Sequence, residues 1–160
     1  LQETALFLSH LGIRYNQPQI LQLYMCIGGI PFYLNMVENG LSAIQNINQM
    51  CFQRNGTLFD EYNNLFSSLF SHAEIHQAII ELISTKREGV SREEIEEKMN
   101  LTGGRLTLRL EELKHAGFIT PFMPWGRTKK GVYYKIIDEY TLFYLNWIAP
   151  TCRKSYYARV

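Results

Sequence analysis

The sequence has no G-x-x-x-x-G-K-[ST] phosphate loop, no Gly-x-Ser-x-Gly elbow and no His-Glu-x-x-His pair. These absences remove the usual frameworks for nucleotide hydrolysis, acyl transfer and zinc-assisted hydrolysis from its 160 residues. Cysteine is scarce. Cys26, Cys51 and Cys152 are far apart, odd in number and without metal-ligand spacing, so they read as buried free thiols in a reducing compartment. There is no apolar run of roughly 18 residues and no signal peptide, which predicts a cytoplasmic chain with no membrane partner. A net charge of only +1 excludes a basic surface over the whole chain, so any nucleic-acid face must be local. An initiator Met is also missing and the chain starts inside a helical pattern, which predicts an excised fragment.

Hydrophobic residues make up 46% of the chain and charged residues 19%, enough for one domain or two small ones sharing a core. The most legible stretch is residues 91–138. Ser91 with Glu94 three residues on is the capping-box pattern that starts a helix, and Ile95 and Met99 share one face. That helix should stop near Asn100. Thr102 can cap a second helix, in which Leu106, Leu110, Leu113 and Gly117 recur at helical spacing. Phe118 and Ile119 open a strand that carries Pro121 and Pro124, so it belongs at an edge. Residues 132–137 are β-branched or aromatic apart from Lys135 and read as the returning strand. The hairpin tip is Gly126, Arg127, Thr128, Lys129, Lys130 and Gly131. Helix, turn, helix and hairpin in that order make a winged helix-turn-helix.

Five helices are expected ahead of it. Ala5, Leu6, Leu8 and Leu11 suit a short helix ended by Gly12; Asn16 and Pro18 start a second, with Ile20, Leu21, Leu23, Tyr24 and Ile27 leaving little polar face. Pro31 restarts a helix through Val37, closed by Asn39 and Gly40. Ser42 caps another with Ile44, Ile47, Met50 and Cys51 inward, broken at Asn55 and Gly56. Thr57 opens an amphipathic helix with Leu58, Tyr62, Leu65 and Leu69 in one stripe, widened by Phe59, Phe66 and Phe70. Ile75, Ala78, Ile79, Leu82 and Ile83 mark the first helix of the winged domain. An aromatic-rich helix with Tyr140, Phe143, Tyr144 and Trp147 follows the hairpin, ended by Pro150. The expected architecture is therefore mainly α: a helical bundle over 1–71, a winged helix-turn-helix with a small β-hairpin over 72–138, and a C-terminal helix and tail over 139–160.

Few residues carry chemistry. His72 and His76 stand four apart, but no third ligand completes a metal site, and solvated or capping roles are the better reading. The strand ending in Asp138 and Glu139 imitates the carboxylates that hold magnesium in an ATPase. Without a phosphate loop it serves no nucleotide, and Asp138 is explained as a helix N-cap. Arg105, Arg109 and Glu112 share the outward face of the second helix, and Arg127, Lys129 and Lys130 crown the wing, the arrangement by which a winged domain reads duplex DNA. Against this, residues 91–119 hold five cations and six carboxylates, net −1, which repels a phosphate backbone. Phe122, Met123 and Trp125 are more apolar than a solvated wing needs and suit docking on another protein domain.

The run Gly28, Gly29, Ile30, Pro31, Phe32, Tyr33, Leu34 resembles the Gly-Gly-x-Pro-x-Tyr-Leu segment in the lid of prokaryotic AAA-type ATPases close to the STAND signalling ATPases. Leu58 and Glu61 before the winged domain, Tyr134, Ile136 and Asp138 at a strand end, and Phe143, Tyr144 and Trp147 continue the likeness over nearly the whole chain. The resemblance implies an ATPase whose nucleotide-binding domain lies upstream of Leu1, with ATP and Mg bound in that parent and neither held by this fragment alone. Residues 1–71 would be its lid, with Gly29 and Pro31 on the adenine side of the nucleotide. In physical terms Gly29 admits close backbone approach and Pro31 fixes the start of the next helix, although a helix corner needs the same residues for geometry alone. Arg54 as a phosphate-sensing arginine has no motif behind it. The sequence departs from the family in lacking both the phosphate loop and a C-terminal nuclease-like domain, so no hydrolysis is expected of it. The leading reading is the regulatory half of such an ATPase, its winged domain a nucleotide-dependent packing element. The alternatives are a winged-helix transcriptional regulator that reads DNA with Arg105 and Arg109, and a protein-interaction adaptor.

Overall fold

The computed structural model describes residues 1–53, 55–125 and 131–151. Arg54, the basic wing tip with Gly126, Arg127, Thr128, Lys129 and Lys130, and the tail from Cys152 onward lie outside the described residues. The fold is mainly helical, with a small three-stranded antiparallel sheet. The chain divides into two compact units: Leu1–Tyr62 with the residues from Phe143 on, and Asn63–Leu142.

The first unit holds α1 (Gln2–His10), α2 (Gln17–Ile27), α3 (Pro31–Leu34), α4 (Ala43–Cys51) and the start of α5 (Glu61–Leu69). The caps are where local chemistry puts them. Asn16 accepts from the Gln19 amide, and Ser42 with Gln45 makes a complete capping box. Leu23, Cys26 and Ile27 of α2 are buried, as are Ala43, Ile47, Met50 and Cys51 of α4, the helix it packs on. Burial pushes the Cys26 thiol up to about 11 and the Cys51 thiol up to about 12, where neither is a nucleophile at neutral pH. At the C-terminal side of this unit Tyr144 stacks on Tyr62, with ring centres 4.3 Å apart and planes 8° from parallel.

Several expectations for this unit are corrected. α2 is not buried all round, since Leu21 and Met25 are exposed, and Ile44 of α4 also faces out. Leu6 of α1 is exposed and Thr4 buried in its place. α3 closes at Leu34, well short of Val37. Residues 57–60 are turns and bends, so α5 starts at Glu61, and its inward line is Leu58, Tyr62, Phe66 and Phe70 while Leu69 is exposed. Pro150 does not end the last helix: α9 (Glu139–Phe143) runs into a π-helical segment, Tyr144–Ile148, and helical turns continue over 149–151.

The second unit runs through the rest of α5, α6 (Ala73–Ser84), β1 (Val90–Ser91), α7 (Arg92–Met99), α8 (Gly103–His115), β2 (Ile119–Phe122), β3 (Tyr133–Ile136) and the start of α9. This is the element order of a winged helix-turn-helix, with α7 and α8 as the helix pair. The sheet order β1-β3-β2 leaves β2 at an edge, where Pro121, paired with Tyr134, costs no ladder bond on the inner side. β1 was not foreseen: its two residues pair Val90 with Tyr134 and Ser91 with Tyr133, too short a run for any periodicity. Gly89 makes this pairing possible. Its φ of +88° suits glycine alone, and a Cβ there would lie 2.8 Å from the Phe122 ring and from the Tyr134 carbonyl oxygen. Ser91 caps α7 through the Glu94 amide, and Asp138 caps α9 through the Thr141 amide at 2.7 Å. Thr102 stands at the N-cap of α8 but its side chain makes no capping bond. Ile79, Ile80 and Ile83 of α6, Ile95 of α7, and Leu106, Leu110 and Leu113 of α8 supply the core with Phe66 and Phe118, whose rings lie 4.7 Å apart.

No helix among the described residues is long and apolar enough to cross a membrane. Among the same residues no group of three or more His, Cys, Asp or Glu is placed to hold a metal ion.

Asn46 is the polar hinge of the first unit. Buried in α4, its carbonyl accepts from the Glu38 amide at 2.8 Å and its amide donates to the Tyr15 hydroxyl at 2.9 Å and to the Glu38 carbonyl at 3.1 Å. The Tyr15 hydroxyl in turn donates to the Leu41 carbonyl at 2.7 Å. Asn46→Ala removes both sides of this exchange. It is expected to cost about 1–3 kcal/mol, a fall in Tm of roughly 3–10 °C by thermal unfolding; an unchanged Tm would show that water replaces these bonds at no cost.

Candidate functional site

Two places carry the residues singled out by the sequence: the corner between α2 and α3, and the outer side of α8 with its hairpin. The corner follows from glycine chemistry. At the end of α2 the Gly28 amide donates to the Tyr24 carbonyl at 2.8 Å, and Gly28 takes φ 65°, ψ −164°, a region essentially closed to residues with a Cβ. The chain then turns over Gly29, where a Cβ would sit 3.2 Å from Thr4 Oγ1 and 3.3 Å from the Tyr24 ring. Ile30 is extended and Pro31 occupies the first turn of α3, where its missing N–H costs nothing. On the inner side Tyr33 and Leu34 are buried, and the Tyr33 hydroxyl donates to Glu61 Oε1 at 3.3 Å. Gly29, Ile30, Pro31 and Phe32 face outward, Phe32 with 61% of its surface exposed.

Between Arg14 and Glu38 there is no charged side chain. Residues 15–37 therefore bring apolar surface to the corner and no side-chain cation for a phosphate. Gly29 and Pro31 do come together at one exposed place.

On α8 the two arginines differ. Arg105 is exposed and makes no ion pair among the described residues. Arg109 is held: its Nη1 donates to Glu112 Oε2 at 2.8 Å and its side chain is 16% exposed. The same Glu112 oxygen lies 2.8 Å from Nε2 of His76 on α6, whose Nδ1 is 2.8 Å from the His72 carbonyl oxygen. His76 is completely buried, its ring stacked on Phe70 at 4.0 Å and 11°. The solvated or capping role expected for it is thus corrected. His76 stands three and four residues before Ile79 and Ile80, on the inward stripe of α6, and that spacing was the available signal. The Arg109 hydrogen bond, followed by that of His76, holds the Glu112 carboxyl below the ordinary range against its partial burial.

The other cations nearby are also engaged. Arg92 Nε pairs with Glu96 at 3.1 Å, and its Nη2 donates to Thr107 Oγ1 at 3.0 Å, pinning the start of α8. Lys86 and Lys98 both reach Glu94, at 2.6 and 2.9 Å, and lower its carboxyl pKa, Lys86 the more. Lys114 pairs with Glu111 at 3.0 Å. Beside α8 an open groove of about 750 Å³ is lined by Leu69, Phe70, Leu108, Glu111, Glu112 and His115.

The hairpin residues separate. Phe122 is half-buried against Gly89 and Tyr133, with Lys135 Nζ 5.6 Å from its ring centre. Met123 is 71% exposed and Trp125 wholly so. Arg127, Lys129 and Lys130 lie outside the described residues. No protein-family model, curated protein or solved structure matches this chain.

The Gly28 conformation separates geometry from contact at the corner. Gly28→Ala forces a Cβ into a glycine-only region and is expected to cost about 1–3 kcal/mol, roughly 3–10 °C in Tm. Pro31→Ala, at an exposed first-turn position, is expected to stay within about 1 kcal/mol of the parent. Equal losses from both would mark Pro31 as a structural residue.

Proposed function

We propose that this chain is the C-terminal regulatory part, a helical lid followed by a winged helix, of an ATP-binding ATPase of the AAA or STAND-like kind, and that it couples nucleotide state to domain packing. The observation that carries this reading is the uncharged corner, which presents Gly29 and Pro31 outward on a ledge with Ile30 and Phe32. An apolar ledge suits the flat face of an adenine. With no cation or carboxylate between Arg14 and Glu38 it does not suit phosphates or magnesium, and those would be held by an upstream nucleotide-binding domain of the same polypeptide, in the cytoplasm. Bound nucleotide would supply the phosphoryl chemistry; the residues here would cover the base and exclude water from it.

A second reading, sequence-specific binding of duplex DNA, draws on the exposed Arg105 in a winged helix-turn-helix. It is the weaker one because Arg109 is spent on Glu112 and α7 carries four glutamates. Guanine readout needs a guanidinium free to donate two bonds to one base. Met123 and Trp125, both exposed, favour docking of the wing on a protein surface.

Two measurements test this. In a polypeptide that carries this segment behind a phosphate-loop domain, Pro31→Ala is expected to lower ATP turnover by roughly tenfold or more, whereas the 160-residue chain alone, without a phosphate loop, is expected to turn over none; unchanged kinetics in the longer protein sink the lid reading. Titration of the chain with mixed duplex DNA at low salt is expected to show no binding. Saturable binding with a steep salt slope would promote the DNA reading.

A further inference from the structure

We propose that His76, Glu112 and Arg109 form a pH-operated clamp between α6 and α8, closed while the His76 ring carries two protons and opened when Nε2 gives one up. Proton counting on the observed contacts leads there. The His72 carbonyl oxygen 2.8 Å from Nδ1 can only accept, so Nδ1 carries hydrogen. On the other side Glu112 Oε2 already receives the Arg109 N–H at 2.8 Å, which favours its ionised form, and an ionised carboxylate also only accepts. Nε2 at 2.8 Å from that oxygen must then carry hydrogen too. The contacts describe an imidazolium, buried face to face with Phe70, its charge opposed by Glu112 and that of Glu112 shared with Arg109.

Such a ring has one way to lose a proton. Nδ1–H is retained by a carbonyl that has no hydrogen to give in return, so the proton leaves from Nε2. A lone pair then faces a carboxylate oxygen across a hydrogen-bond distance, and two acceptors repel. His76 is fully buried and cannot turn to water, whereas the Glu112 side chain, 35% exposed, can swing away with Arg109. The tie from α8 to α6 is lost.

The sign follows from which form makes the contact. The doubly protonated ring is the form that makes the contact, so the tie to Glu112 holds while Nε2 keeps its hydrogen and is lost when that proton leaves. Glu112 acts oppositely: with its carboxyl lowered, its contribution is present above the ordinary carboxylate range and disappears as pH falls. The clamp is closed in the window between the two.

Several charged groups on the neighbouring elements have other partners, while Glu93 and Glu97 of α7 and Arg105 of α8 are exposed. On α7, Glu94 is taken by Lys86 and Lys98, and Glu96 by Arg92. On α8, Glu111 is taken by Lys114, with His115 3.6 Å away. On β3, Lys135 lies over Phe122, beside the tyrosines Tyr133 and Tyr134. On α6 itself Glu74 and Glu81 are exposed, as is His72 just ahead of it.

The test is nitrogen-15 NMR of the histidine rings in the whole chain across about pH 5 to 8, with amide hydrogen-exchange protection of residues 106–113 read at the same points. The expected result is a His76 ring protonated at both nitrogens at the acid end that loses its proton from Nε2, while protection on α8 falls roughly three- to tenfold. Glu112→Gln is expected to abolish that pH response of α8 and leave the fold in place. The NMR arm uses the unaltered protein and stands if the variant fails to fold. Loss of the proton from Nδ1, a ring neutral over the whole range, or the same α8 response in Glu112→Gln would each overturn the clamp.

Discussion

One carboxylate oxygen, Glu112 Oε2, receives the guanidinium of Arg109 and the ring of His76, each at 2.8 Å. It lies between the outer face of α8 and the core beneath α6, and the electrostatics of both depend on it. Without it His76 would be a buried ring with no partner for Nε2, and Arg109 would be a free cation on the helix that a winged domain offers to DNA. With it, the basic look of α8 dissolves. The same pattern holds on α7, where Arg92 and Lys98 are matched by glutamates one turn away. Pairs at this spacing stabilise a helix modestly, but their larger effect here is to take positive charge out of circulation. A phosphate backbone is attracted by cations that are free to exchange their counterions, and of the cations on α7 and α8 only Arg105 makes no ion pair among the described residues.

The first unit solves a different problem. A stretch with no charge from residue 15 to 37 would bury itself completely if it could. Its helices instead keep a polar hub at Asn46 and leave an apolar corner outside, along with Leu21 and Met25 of α2. The reason is local: Gly28 must reverse the chain after α2, Pro31 must begin α3, and only Tyr33 and Leu34 of that short helix are buried. The residues left on the outside of that reversal, Gly29 to Phe32, are apolar because nothing in the turn requires polarity. Such a ledge is suited to covering an uncharged ring rather than to contact with a phosphate.

Much of the element order was legible. Asn16, Ser42, Ser91 and Asp138 were readable as caps because capping is decided within three residues, and each accepts the expected amide. The edge placement of Pro121 followed from its missing N–H. Where reading failed, the deciding contact was distant. β1 is a strand only because Tyr133 and Tyr134, more than forty residues on, come back to pair with it. Thr57 looked like a helix start, yet the Leu58 amide is drawn to the Met50 carbonyl at 2.9 Å and the helix begins later. Ile44, Leu21 and Met25 are apolar at positions the fold leaves exposed, a choice that periodicity cannot make when a helix is apolar on more than one side.

The candidate sites divide in the same way. Type and order of the elements, the glycine–proline corner and the near-balance of charge over the helix pair were set by the amino-acid sequence alone, because caps, turns and periodicity act over a few residues. Which arginine is free, which histidine is buried and which side of the corner meets solvent were decided only in the folded chain. Those properties depend on what lies within about 3 Å in space, and for His76 and Glu112 that neighbour is 36 residues away along the chain.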